Sequence, residues 1–118
     1  MTLQHVSLET RRSDAEAEVA FWALLGFDEV RPPEGLVDVA SWVAREGTQI
    51  HLLFADDPVV MPRGHVAVVA PDYEAAMARL RDGGFEPRPA REHWGAPRVF
   101  VRTPAGHTVE VMAAPPPP

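Results

Sequence analysis

Four side chains of this chain could together hold and use a metal ion: His5, His51, His65 and Glu110. Imidazole nitrogens and a carboxylate oxygen are donors that zinc, nickel, cobalt, manganese and iron accept. Their spacing follows a repeat. His5-Val-Ser-Leu recurs as His65-Val-Ala-Val at an offset of 60, and Gly26-Phe27 recurs as Gly84-Phe85 at 58. Ile50-His51-Leu52 recurs as Val109-Glu110-Val111 at 59. Each half thus opens and closes on a segment with one ligand candidate, and a repeated fold would gather all four about its axis. A single histidine is most simply a packed or surface residue. Two at the same point of two repeats, with an acid at a third, make the case for a site.

Composition removes most other chemistry. The chain has 118 residues, 46% of them hydrophobic, a size that can bury one core. There is no Cys, hence no thiol nucleophile, disulfide or thiolate metal site. All 11 basic residues are Arg, which excludes a Schiff-base lysine and a P-loop. Neither a Gly-x-Ser-x-Gly elbow nor a Gly-x-Gly-x-x-Gly loop occurs. The net charge of −6 opposes binding to nucleic acid or to anionic membranes. No apolar run reaches the ~18 residues of a span, and Met1-Thr-Leu-Gln-His5 has no signal-peptide character. The expectation is a cytoplasmic protein with metal-assisted or acid–base chemistry on a small molecule.

The elements that must position the four residues can be read from periodicity and turn chemistry. Residues 3–9 alternate as a half-buried strand. Ser13-Asp-Ala-Glu16 reads as a capping box, opening a helix to Leu25 that stops at Gly26. Strands are expected near 27–31, 36–45 and 47–55, with turns at Pro32-Pro33-Glu34-Gly35 and Glu46-Gly47. The second half repeats the plan: a strand at 64–70, a helix capped by Asp72 and stopped at Gly83-Gly84, then strands near 85–90, 97–103 and 107–113. Thr103-Pro104-Ala105-Gly106 is the turn before the last strand. The pattern is βαβββ twice, an α+β domain over residues 1–114 with modules 1–57 and 58–114. Pro115–Pro118 cannot donate to a ladder and is expected to be a frayed or polyproline end. Strand parity puts His5, His51, His65 and Glu110 on the face opposite each strand's fully apolar one. The helices belong on the apolar face.

These residues resemble the vicinal-oxygen-chelate superfamily, which includes glyoxalase I, extradiol dioxygenases and the fosfomycin and bleomycin resistance proteins. Its carriers are His5-Val-Ser-Leu, Phe21-Trp-Ala-Leu-Leu-Gly-Phe27, Gly64-His65-Val-Ala-Val, Trp94-Gly-Ala-Pro-Arg98 and Pro104-Ala-Gly-His-Thr-Val-Glu-Val111. The resemblance implies a cup formed by an incompletely closed eight-stranded mixed sheet with helices outside, usually in a homodimer. It implies one divalent ion on His5, His51, His65 and Glu110, polarising a substrate with vicinal oxygens for isomerase, lyase or epimerase chemistry. Glu110 would then move a proton, with His51 or a metal-bound water as counterpart. His51 stands where glyoxalase I usually has a glutamate, and can equally be read as a group beside the ligands or against substrate. Glu9 stands where glutathione-using members carry a basic residue. His5, His65 and Glu110 alone would supply the triad of a ring-cleaving iron dioxygenase. A metal-free binder of the bleomycin-resistance type is the other alternative.

Further substrate contacts are expected from Ser7, a hydroxyl two residues after the first ligand, and from His93, Trp94 and Arg98 around the seventh strand. Arg98 could meet an anionic substrate or pair with Glu110. Trp22 and Trp42 read as core, with Trp42 also able to line the cavity wall.

Overall fold

The computed structural model describes residues 1–118 and divides into two compact units, Met1–Val60 and Met61–Pro118. The first unit runs β1 (His5–Thr10), α1 (Ala15–Leu24), β2 (Asp28–Val30), β3 (Ala40–Arg45) and β4 (Thr48–Phe54). The second runs β5 (Val66–Val69), α2 (Tyr73–Asp82), β6 (Arg88–Pro89), β7 (Arg98–Arg102) and β8 (Thr108–Met112). Both are βαβββ, each with one four-stranded mixed sheet, ordered β1-β4-β3-β2 and β5-β8-β7-β6. The class is α+β, as the repeat predicts. No helix is long and apolar enough to cross a membrane.

In each unit the first and last strands pair in parallel, and the other pairs are antiparallel. A parallel pair needs a long crossover, which the helix and the two intervening strands provide. The β3–β4 hairpin closes on Glu46 and Gly47, at φ +49° and +83°. Positive φ at both central residues is what a tight hairpin turn requires.

One face of the first sheet is apolar. Val43, Ile50, Leu52 and Thr10 are fully buried there, as are Phe21 and Trp22 of α1. In the second unit Val99, Val101, Val109 and Val111 of the sheet and Ala76, Met77 and Leu80 of α2 are buried. Both helices end alike. The Phe27 amide donates to the Trp22 carbonyl and Gly26 to Ala23; the Phe85 amide donates to Leu80 and Gly84 to Arg81. This is the Schellman closure, whose left-handed backbone glycine adopts without the penalty an L side chain carries there. The repeated Gly-Phe is therefore a helix stop.

Three expectations are corrected. Ser13 does not cap α1: residues 12–14 form a 3-10 turn, Asp14 already has helical φ and ψ, and its side chain makes no capping bond. Capping needs an extended backbone at that position, which the tighter turn has removed. The strand expected at 36–45 begins only at Ala40, because Leu36 and Val39 donate to Pro33 and Leu36 in successive turns. The strand expected at 85–90 shrinks to Arg88–Pro89, since Pro87 and Pro89 remove two ladder donors. At the other end Asp72 caps α2 as expected, accepting from the Ala75 amide at 3.3 Å.

Gly26 and Gly84 provide a test of this packing. Alanine at Gly84, at φ +89° in open space, should cost the left-handed penalty of about 1–2 kcal/mol. Alanine at Gly26, at φ +85°, also meets the Arg45 guanidinium, which donates to the Leu25 carbonyl at 3.5 Å. Urea midpoints should therefore fall for both variants, and further for Gly26→Ala.

Candidate functional site

The register fixes which residues share the polar face of each sheet. In the first unit Ser7 lies opposite His51, His5 opposite Gln49, and Trp42 opposite His51 from the other side. In the second, Ala67 and Phe100 flank Glu110, and His65 immediately precedes β5. The four ligand candidates thus stand as two pairs, one per unit. No group of three or more His, Cys, Asp or Glu side chains is placed to hold a metal ion.

The first pair is a stack. The His5 and His51 rings lie 4.0 Å apart between centroids at 16°, and Trp42 covers the other face of His51 at 3.8 Å and 3°. A glutamine orients each imidazole. His5 Nδ1 donates to Gln4 Oε1 at 2.7 Å, and His51 Nε2 donates to Gln49 Oε1 at 2.7 Å. His51 is buried and His5 exposed. Burial, and after it the neighbouring His5, lowers the His51 pKa from its ordinary 6.5.

The second pair is an ion-pair chain. Glu110, 6% exposed, places Oε1 3.1 Å from His65 Nε2 and accepts at Oε2 from Arg98 Nη1 at 3.2 Å. His65 Nδ1 lies 3.1 Å from the Arg63 carbonyl. Phe100 meets the His65 ring edge-on at 5.2 Å. Arg98 also donates through Nε to the Arg91 carbonyl at 2.8 Å, with its guanidinium 5.4 Å from the Trp94 and Phe100 rings.

These pairs differ in their fitness for metal. A separation of 3.1 Å between nitrogen and oxygen matches two adjacent ligands with bonds of about 2 Å. His65 further has both ring nitrogens facing acceptors, the Arg63 carbonyl and the Glu110 carboxylate. A neutral imidazole donates from only one nitrogen, so the arrangement calls for a cation, proton or metal, between Nε2 and Oε1. The second pair fits a metal ion. The first does not fit as two ligands of one ion, because its rings lie face to face and each lone pair lies in its own ring plane.

The remaining candidates divide. Ser7 is exposed on the same face as His5 and His51. His93 is exposed in the loop before β7. Trp94 anchors that loop through Nε1 to the Ala114 carbonyl at 2.9 Å. Arg98 is engaged by Glu110 and Arg91, the pairing alternative of the two raised by the sequence. Glu9 accepts the Val59 amide at 3.0 Å, a tie to the connecting segment. Trp22 is core, at 0% exposure, whereas Trp42 serves the polar face. Gln4 and Gln49 escaped the sequence reading. The i, i+2 placement of Gln49 and His51 on one strand was the available signal.

A fold of two βαβββ repeats, with His5 on β1, His65 just before β5, and His51 and Glu110 on the last strands, is that of the glyoxalase-like class. The chain belongs to the family whose model is described as the glyoxalase-like domain, matched over residues 6–112. It is 27% identical over 93% of its length to Glyoxylase I 4 of Arabidopsis thaliana, covering 69% of that protein. A Bacillus anthracis structure assigned to the glyoxalase family superposes with a TM-score of 0.86 at 22% identity, over 95% of this chain and 93% of that one. The fosfomycin resistance protein FosX of Listeria monocytogenes gives 0.76 at 17% identity, over 97% and 91%. At such identities these structures share the fold.

The lowered His51 pKa has a measurable consequence. The native state resists protonation there while the unfolded chain accepts it near pH 6.5, so stability falls as pH drops from 6.5 towards the folded-state value and levels off below it. NMR titration of the ring should place the His51 midpoint below 6.5. His5→Asn should raise it only in part, because burial is the larger cause.

Proposed function

We propose that this chain is a divalent-metal-dependent enzyme of the glyoxalase type, acting on a small molecule with adjacent oxygen atoms. The observation that carries the reading is His65, whose Nδ1 faces the Arg63 carbonyl while Nε2 faces the Glu110 carboxylate at 3.1 Å. An Nδ1–H held by a carbonyl is the usual way a protein aims an Nε2 lone pair at a metal. His65 and Glu110 would hold the ion. Bound there, the ion supplies Lewis-acid polarisation of a substrate oxygen. The chain's own residues do the rest. Arg98 holds Glu110 Oε2, so that Oε1 is the oxygen left to serve the ion or take a proton. Ser7, exposed on the His5 face, would hydrogen-bond substrate. Isomerisation, epimerisation and lyase-type addition all need this combination, and fold alone does not select among them.

A second reading has its own observation. The Trp42–His51–His5 stack ends on an exposed ring, which suits a planar ligand, and the net charge of −6 favours a cationic one. In that case the domain sequesters a small molecule without metal.

Metal analysis of untagged protein, followed by titration of the apo form, separates the two. The enzyme reading expects close to one equivalent of a divalent ion, with affinity reduced more than about 100-fold in His65→Ala. Equal metal content in wild type and His65→Ala would sink it. Thermal stabilisation by planar organic cations alone, with none from divalent ions, would favour the binder.

A further inference from the structure

We propose that Arg88 and Arg102, on the polar face of the second sheet, form a binding site for the acidic group, a carboxylate or a phosphate, of a small molecule lying beside Glu110. Both arginines line an open cavity of about 280 Å³, together with Gly84, Phe85 and Glu86. That the molecule is a substrate rests on the metal-dependent reading above. The anion site itself lies wholly within Met61–Pro118.

Strand register sets both arginines on one face. Arg88 of β6 is the direct partner of Phe100 on β7, and Phe100 is the direct partner of Glu110 on β8. Arg98 and Arg102 stand two residues to either side of Phe100, so all three arginines share the face of Glu110. Arg98 and Arg102 are both diagonal neighbours of Glu110, a step of roughly 7–8 Å. Of the two, Arg98 is the one bound to it, at 3.2 Å. Arg88 and Arg102 are exposed and enter none of the chain's ion pairs. Glu86, the acid in the same cavity, is exposed and pairs with neither.

Charge is unevenly shared between the units. Met1–Val60 holds 4 Arg and 11 Asp or Glu, and Met61–Pro118 holds 7 and 6, a balance of −7 against +1. The acidic excess thus belongs to the first unit, and the second by itself is slightly basic. In the cavity two guanidinium groups outnumber one carboxylate. A guanidinium fork matches the paired oxygens of a carboxylate or phosphate, and such charge-assisted bonds are the strong ones. Arg98, held on Glu110, offsets the charge that would otherwise repel the anion. Phe100 stands between Arg88 and Glu110 across the sheet and is half-buried, an apolar floor for the part of the molecule that spans them. The ligand that fits has an acid at one end and its reacting oxygens at the other.

The test titrates metal-free protein with inorganic phosphate and, separately, with acetate, following the Phe100 and Arg102 backbone amides by NMR. Sodium chloride holds the ionic strength constant, so that general screening does not register. Both amides should shift saturably with at least one of the two oxyanions, and the tighter of them tells phosphate from carboxylate. Arg88→Gln and Arg102→Gln should each weaken that binding at least about tenfold, the loss of one charge-assisted pair. Glu86→Gln should tighten it roughly two- to threefold. Arg11→Gln, a charge change in the first unit, should leave it within about twofold of wild type. No saturable shift in wild type, or wild-type affinity in the double variant Arg88→Gln/Arg102→Gln, overturns the anion site and leaves metal dependence standing. Anion binding by a protein that takes up no divalent ion supports the site while ending the metal-dependent reading. Both arginines are exposed, so the substitutions spare the core.

Discussion

A strand shows alternate residues to opposite faces, and in each unit that parity is locked by one parallel pair, β1 with β4 and β5 with β8. Everything chemical in this chain depends on it. A slip of one residue along β4 would turn His51 onto the apolar face and bring Ile50 and Leu52, now wholly buried, onto the opposite one. The apolar face therefore enforces the site face. The two leucine- and valine-rich surfaces thereby fix which side chains face the other way.

The same parity made the facing of the candidate residues legible in the sequence. The repeated His-Val and the Ile-His-Leu against Val-Glu-Val pattern marked the opening and closing strands of each repeat, which the structure pairs in parallel. Gly26-Phe27 and Gly84-Phe85 marked both helix stops through an identical pair of backbone bonds. What stayed hidden was local competition among backbone donors. Ser13 had the right neighbours for a capping box but sits inside a 3-10 turn. Pro87 and Pro89 were visible in the sequence, and the ladder donors they remove leave β6 with two residues.

Side-chain partners were harder to see than strands. Gln4 just precedes β1 and Gln49 is half-buried near the start of β4, with nothing in their types to separate them from solubilising glutamines. Their meaning comes from a ring nitrogen at 2.7 Å, which a linear pattern does not contain. Arg98 reads with two meanings, substrate anchor and partner of Glu110, and the structure pairs it with Glu110 at 3.2 Å. A buried carboxylate without a cation would cost several kcal/mol in desolvation, so a nearby arginine is drawn to it first.

The two halves then diverge from one shared plan, and the divergence follows from the group on the last strand. Trp42 faces His51 and Phe100 faces Glu110, so each unit sets an aromatic ring opposite its fourth-strand polar residue. An imidazole can lie flat on such a ring, and His51 does, at 3° to Trp42. A carboxylate cannot, because the negative ring face repels it. Glu110 instead turns to Arg98 and His65, and Phe100 meets His65 with rings at 89°. The duplication thus yields a stacked half and an ion-paired half from equivalent positions. Exchanging the residues at 51 and 110 would not exchange the roles. A glutamate at 51 would face indole and imidazole planes with no cation beside it, and a histidine at 110 would leave the Arg98 guanidinium without its acid.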